Sequence, residues 1–165
     1  MAKKFISMRN LKFLIYEVFD AVGLTKHDYY SQHNRKMFDM VLDAAMKLSV
    51  KLLFPLFEEM DRKPPELEAG VVKVHPQVRE LMKQYGEGGW IAATFPEAFD
   101  GEQLPALVSN CCNMMFSAAN YSGAAYPGLA SGAARLITNF ASQELIDSYV
   151  ARICLLYTSP SPRDS

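Results

Sequence analysis

Apolar residues recur along much of this chain at steps of three and four, the period of a helix with one covered face. From Ser31 onward, Phe38, Val41, Ala45, Leu48 and Leu52 follow that period and predict a long helix. Pro55 falls inside the pattern and predicts a kink or a restart, because proline lacks an amide donor and crowds the preceding turn. Upstream, residues 9–22 (RNLKFLIYEVFDAV) read as a short apolar helix or an extended hook that ends at Gly23. Within it Phe13, Tyr16 and Phe19 lie three apart, the spacing of a docking stripe.

Polar and proline-rich stretches separate these segments. EEMDRKPPELEAG (58–70) reads as a stop, with Pro64 and Pro65 ending any helix. Val71 to Val74 suits a brief strand, but nothing obvious pairs with it. Pro76 suits the first position of a helix whose apolar face is Val78, Leu81, Met82 and Tyr85, closed by Gly86, Gly88 and Gly89. A loop centred on Pro96 and Gly101 leads to a helix over about residues 104–119. In YSGAAYPGLASGAA (121–134), ten of the thirteen residues from Ser122 onward are Gly, Ala or Ser. A last helix begins near Ser142, a good N-cap with Glu144 in the first turn. The fold class expected from this pattern is all-α.

Composition narrows the function. A chain of 165 residues, half of them hydrophobic, can build a domain with a core of its own. Seventeen basic against eighteen acidic residues create no field that would draw nucleic acid or an anionic membrane. No apolar run reaches the roughly 18 residues of a membrane span. The basic start MAKKF is followed by Arg9, Lys12 and Glu17, which makes a poor signal peptide. Cys111 and Cys112 are adjacent, an arrangement unsuited to a disulfide, so free thiols and a cytoplasmic setting are expected.

Candidate chemistry is sparse. His27, His33 and His75 have no partner at metal-ligand spacing, so no metal site is expected, and His75 before Pro76 reads as a loop or cap residue. Glu58, Glu59 and Asp61 beside Arg62 and Lys63 read as a solvated helix end rather than an acid–base pair. Glu97 and Asp100 suit a turn. Asn120-Tyr121-Ser122 is a formal glycosylation triplet without a secretory context. The small-residue run lets a backbone approach something closely, either a ligand or a neighbouring helix.

Several segments together resemble the N-terminal helical domain of acyl-CoA dehydrogenases. GGWIAATFPEAFDGEQLP (88–105) is similar to a family loop in which Pro96, Glu97, Phe99, Gly101 and Leu104 match, while Asp100 and Gln103 replace two usual glycines. ASQELIDSYVARI (141–153) resembles a family helix through Gln143, Glu144, Tyr149 and Val150, with Ala141 and Ala151 in place of Gly and Pro. The leader RNLKFLIYEVFD, with EEMDRKPPEL and KVHPQVRELMKQYGEGGW, is similar to the 3-(methylthio)propanoyl-CoA dehydrogenase-like subgroup.

The resemblance implies an FAD enzyme that removes the α and β hydrogens of an acyl-CoA thioester. A carboxylate base takes the α proton, the flavin takes hydride, and an electron-accepting flavoprotein reoxidises it. In such enzymes the base lies in a C-terminal helical domain and the flavin is held mainly by a middle β domain. The fragment is therefore expected to hold no catalytic residue, to bind no cofactor tightly and to be inactive alone. The helix over 123–134 lines the acyl cavity in the family, and Ala124, Ala125, Gly128, Leu129 and Gly132 carry over as substrate-binding positions. Family members are commonly homo-oligomers.

The chain then divides into a leader (1–24), a helical domain (25–153) and a tail (154–165). The tail, CLLYTSPSPRDS, resembles a translated sequencing adapter. Its alternative is a native Ser-Pro tail, disordered and phosphorylatable at Ser159 and Ser161, on a stand-alone helical interaction module.

Overall fold

The computed structural model describes residues 5–155. These are helical apart from one small hairpin and the connecting loops, so the all-α expectation holds. They form two units: the described residues up to Lys63 with Gln103–Ala124, and Pro64–Glu102 with the described residues from Ala125 onward.

In the first unit the leader is α1 (Met8–Phe13), continued by a π turn (Leu14–Val18). It ends at Asp20, in the left-handed region at φ 45°, and not at Gly23. A 3-10 turn, Ala21–Lys26, runs straight through Gly23, whose amide donates to the Asp20 carboxylate. Asp accepts such a conformation because its short side chain bonds the local backbone. Of the predicted aromatic stripe, Tyr16 is buried whereas Phe13 and Phe19 are exposed. The wider π turn breaks the three-residue register that had placed them on one face.

Helix α2 (Arg35–Leu48) starts four residues later than Ser31, because Asn34 caps it: the Met37 amide donates to Asn34 Oδ1 at 3.0 Å. Its fully covered positions are Phe38, Leu42 and Ala45, continued by Ser49 and Leu53. Val41, Leu48 and Leu52 lie half-buried beside them. Pro55 produces the expected break, as a π turn (Ser49–Leu53), a 3-10 turn (Phe54–Leu56) and a restart in α3 (Phe57–Arg62). The leader is tied to α2 by Tyr16, whose hydroxyl donates to Asp39 at 3.2 Å, and by Lys12, 2.9 Å from the same carboxylate. The Arg35 guanidinium lies 4.4 Å from the Tyr16 ring centre.

In the second unit, β1 (Glu66–Glu68) and β2 (Val71–Lys73) pair antiparallel, with Leu67 opposite Val72. The strand expected at Val71 thus does have a partner, inside the stretch read as a polar stop. Ala69 and Gly70 connect the strands at φ 49° and 81°, two left-handed residues that match the twist of a tight hairpin. Helix α4 (Val78–Glu87) begins two residues after Pro76, with Gln77 as N-cap, and buries Val78, Leu81 and Tyr85. Gly86 sits under the backbone carbonyl of Leu155, where any Cβ would collide.

Helix α5 (Ala106–Phe140) crosses from one unit to the other and is broken at Asn120. Its second part and α6 (Gln143–Cys154) cover a core of Ile91, Ala92, Phe95, Ala134, Val150 and Cys154. Helix α6 therefore runs one residue past Ile153, and the Cys154 side chain is buried. The rest of the adapter-like tail beyond Leu155, including Ser159 and Ser161, lies outside the described residues.

Candidate functional site

The expected substrate-binding positions all lie on the second part of α5. This helix exists because Asn120 ends one helix and begins another. Its backbone is extended at φ −166°, ψ 96°, and its Oδ1 accepts from the Gly123 amide at 3.0 Å, the geometry of an N-cap. The other end of the same amide donates to the Leu53 carbonyl at 3.2 Å and contacts Met60 Sδ at 3.3 Å. Asn120 is 1% exposed with both polar atoms engaged, which buries the acceptor residue of the formal glycosylation triplet. Its role escaped the sequence reading. The available signal was an Asn three residues ahead of a Gly at the edge of a small-residue run.

From Tyr121 the helix has two sharply different sides. Gly123, Pro127 and Ala134 are buried, with Ala130 and Ile137 half-buried beside them. On the opposite side Tyr121, Ala125, Gly128, Leu129, Gly132, Leu136 and Phe140 recur at steps of one to four residues and are all exposed. Ala124 is half-buried at the margin. Leu129 is 80% exposed and Phe140 84%. A Cβ added at Gly128 or Gly132 would meet nothing within 4 Å. Of the two readings left open by the small residues, packing against another helix of the described chain is therefore excluded at these two glycines. The side chains at 125, 128, 129 and 132 carry no hydrogen-bonding group. They fit a hydrocarbon surface, and do not fit the ribityl and pyrophosphate groups of a flavin, which need donors.

The loop that resembles the family motif is a tight turn. The amides of Phe99 and Gly101 both donate to the Pro96 carbonyl, at 2.9 and 3.2 Å. Asp100 and Gln103, at the two positions where glycine is usual, have φ 54° and 48°. Positive φ favours glycine because a Cβ crowds the backbone there, and this chain holds that conformation with residues that tolerate it less well. Gly101 lies against the Phe95 carbonyl with no room for a Cβ. Leu104 is buried and Phe99 half-buried, while Glu97 and Asp100 are exposed turn residues.

The remaining candidates are held in structural roles. His75 Nδ1 accepts from the Gln77 amide at 3.2 Å, as a cap before α4. His33 is buried, tilted against the Phe38 ring, with Nε2 3.1 Å from the Gln103 carbonyl. Glu58 and Glu59 pair with Arg62 and Lys63 one turn on, on an exposed face. Among the described residues no three metal-ligating side chains converge. Burial pushes the Cys111 thiol above its ordinary range and Cys112 up to about 12, with neighbouring Cys111 adding to the latter. Burial also pushes Cys154 to about 11, aided by the Asp100 charge. These shifts suppress the thiolate, the opposite of what a nucleophile needs.

Residues 38–155, more than half of the chain, match the family model for the acyl-CoA dehydrogenase N-terminal domain. The match starts at Phe38 and leaves the leader outside it. No curated protein matches the chain. No helix among the described residues is long and apolar enough to cross a membrane.

Proposed function

This chain belongs to the acyl-CoA dehydrogenase family through its N-terminal domain, and from that premise we propose that it is the helical front portion of an FAD-dependent enzyme that forms the α,β double bond of an acyl-CoA thioester. In this reading Ala124, Ala125, Gly128, Leu129 and Gly132 form one wall of the acyl pocket, and residues 154–165 are foreign to the protein. The observation that carries the pocket assignment is the bare, side-chain-poor apolar face of α5, with open space over Gly128 and Gly132. A hydrocarbon chain laid along that face loses no hydrogen bond and leaves water, which favours it by roughly 25 cal/mol per Å² of apolar surface.

The chemistry then belongs to parts of the enzyme beyond these residues. FAD accepts the hydride when bound, and the fragment supplies shape and exclusion of water. The base, most of the flavin site and the surfaces for homo-oligomerisation and for an electron-accepting flavoprotein lie elsewhere, so the fragment alone is inactive. The leader segment favours a short, medium or methylthio-substituted acyl chain, and the free thiols favour a cytoplasmic enzyme. The deciding experiment resequences the source DNA across the Ile153 codon, then assays the full-length product with a dye acceptor. A reading frame that runs on, with dehydrogenation of an acyl-CoA and FAD in the purified protein, supports the proposal. A stop codon after Ser165 in clean genomic sequence, or a full-length protein that turns over no acyl-CoA, sinks it.

A further inference from the structure

The hairpin of β1 and β2 sorts its side chains by face. Residues opposite one another share a face and neighbours along a strand alternate. Leu67, Val72 and Val74 therefore lie on one side, and Glu66, Glu68, Val71 and Lys73 on the other. The apolar side stands in solvent, with Leu67 73% exposed and Val72 60%. A lone two-stranded hairpin is marginal in water, whereas three or more strands with an apolar face can hold.

The two edges of the hairpin differ. With a two-residue connection the flanking pair Glu68–Val71 is of the hydrogen-bonded kind, and the two kinds of pair then alternate along the ladder. Leu67 and Val72 accordingly turn their amides and carbonyls outward, one on each edge. The β1 edge is blunted: Pro65, at its next outward position, has no amide to give. Self-pairing about Leu67 would also set Glu66 against Glu68 of a second copy, twice. The β2 edge carries Val72 and Val74 at its outward positions, and self-pairing about Val72 sets Val71 against Lys73, so no like charges are opposed. Lys73 already lies opposite Glu66 within the hairpin.

We propose that β2 is a docking edge for a second copy of this chain. The two β2 strands pair antiparallel about a two-fold axis at Val72, giving a sheet in the order β1-β2-β2-β1 with one continuous apolar face. A patch this small makes a weak dimer, with Kd on the order of 100 μM, separate from the oligomer surfaces assigned above to other parts of the enzyme. The inference uses residues 65–74 alone and does not rest on the dehydrogenase reading.

Sedimentation equilibrium of the 165-residue chain over a range of concentrations tests it. Val72→Lys and Val72→Glu alter an exposed position, so each is expected to keep the wild-type circular dichroism and melting midpoint. Each sets like charges opposite one another across the axis and weakens the dimer by roughly 10-fold or more. An equimolar mixture of the two variants regains wild-type association, because only the mixed dimer places Lys opposite Glu at position 72. Leu129→Lys, on the exposed side of α5, leaves the constant unchanged. A chain that is still monomeric at about 1 mM, a dimer that neither Val72 variant weakens, or a mixture that regains nothing overturns the inference. Loss of the dimer in Leu129→Lys alone overturns it in favour of α5. Species larger than a dimer overturn it as well, since they require β1 of one copy to pair with β2 of the next.

Discussion

Residues 106–119 and 121–140 of α5 are both apolar and both helical, and they differ in what covers them. The earlier stretch buries Val108, Cys111, Cys112, Met115, Phe116 and Ala119, with Phe116 1% exposed. The later one buries only small or cyclic residues, Gly123, Pro127 and Ala134, and leaves Leu129, Leu136 and Phe140 in solvent. The first half is covered where its large side chains are, and the second is covered where they are not. Hydrophobic content therefore does not say which face of a helix a chain covers. The later half presents an apolar surface that the described residues do not cover.

The largest test of that contrast is a pair of truncations followed by urea unfolding. Phe116→Ala is expected to cost about 3–5 kcal/mol, the usual range for emptying a buried aromatic site. Leu129→Ala is expected to stay within about 0.5 kcal/mol, as exposed positions do. A loss above about 2 kcal/mol at Leu129 would mean that the later half is covered after all. Next in size comes the junction between the halves. Asn120→Ala is expected to cost about 2 kcal/mol, by removing a helix cap and the buried hydrogen bond to the Leu53 carbonyl. If it were neutral in the same assay, the kink would be incidental to the fold.

The turn that precedes α5 gives a smaller effect of opposite sign. Gln103→Gly is expected to stabilise the chain by about 1 kcal/mol, since a residue at positive φ is relieved. Gly101→Ala is expected to destabilise it, because a Cβ there meets the Phe95 carbonyl. A glycine at 103 that lowers the unfolding midpoint would contradict the strained backbone.

A further effect is pH-dependent and reports on burial of the thiols. The Cys112 and Cys154 thiols titrate at about 12 and about 11 in the folded chain against 9.0 when free, so the unfolded chain binds fewer protons above pH 9. Stability is therefore full below pH 9 and falls as the pH rises through 9 to 11. Cys112→Ala should flatten that fall, measured as urea midpoint against pH. An unchanged slope would show that Cys112 is more accessible than its place on α5 implies.

Much of the architecture was legible in local chemistry. The face beginning at Phe38 and the break at Pro55 follow from spacing and from one missing amide, and α6 follows from Ser142 and Glu144. Three features were not legible for physical reasons that differ. The hairpin at Glu66–Lys73 has only a three-residue pairing, and its Ala-Gly connection lacks the usual turn signature. The leader aromatics diverge because a π turn adds a residue per turn, which no single-residue propensity announces. The Asn120 junction depends on a hydrogen bond to the Leu53 carbonyl, 67 residues away in the chain.

The exposed aromatic and aliphatic side chains of the second half of α5 make the same point for the candidate site. Ala125, Gly128, Leu129 and Gly132 share a face by helical period alone, and the family follows from the motifs at Pro96–Gly101 and Gln143–Val150 together with the match over residues 38–155. That much lies in the order of residues, because side-chain spacing and turn chemistry act over a few positions. Which side of that helix is bare, why Gly128 and Gly132 have open space over them, and how Asn120 ends one helix and starts the next were decided only in three dimensions. Burial and the pairing of buried polar groups depend on segments far apart in the chain, and no local pattern encodes which of them will meet.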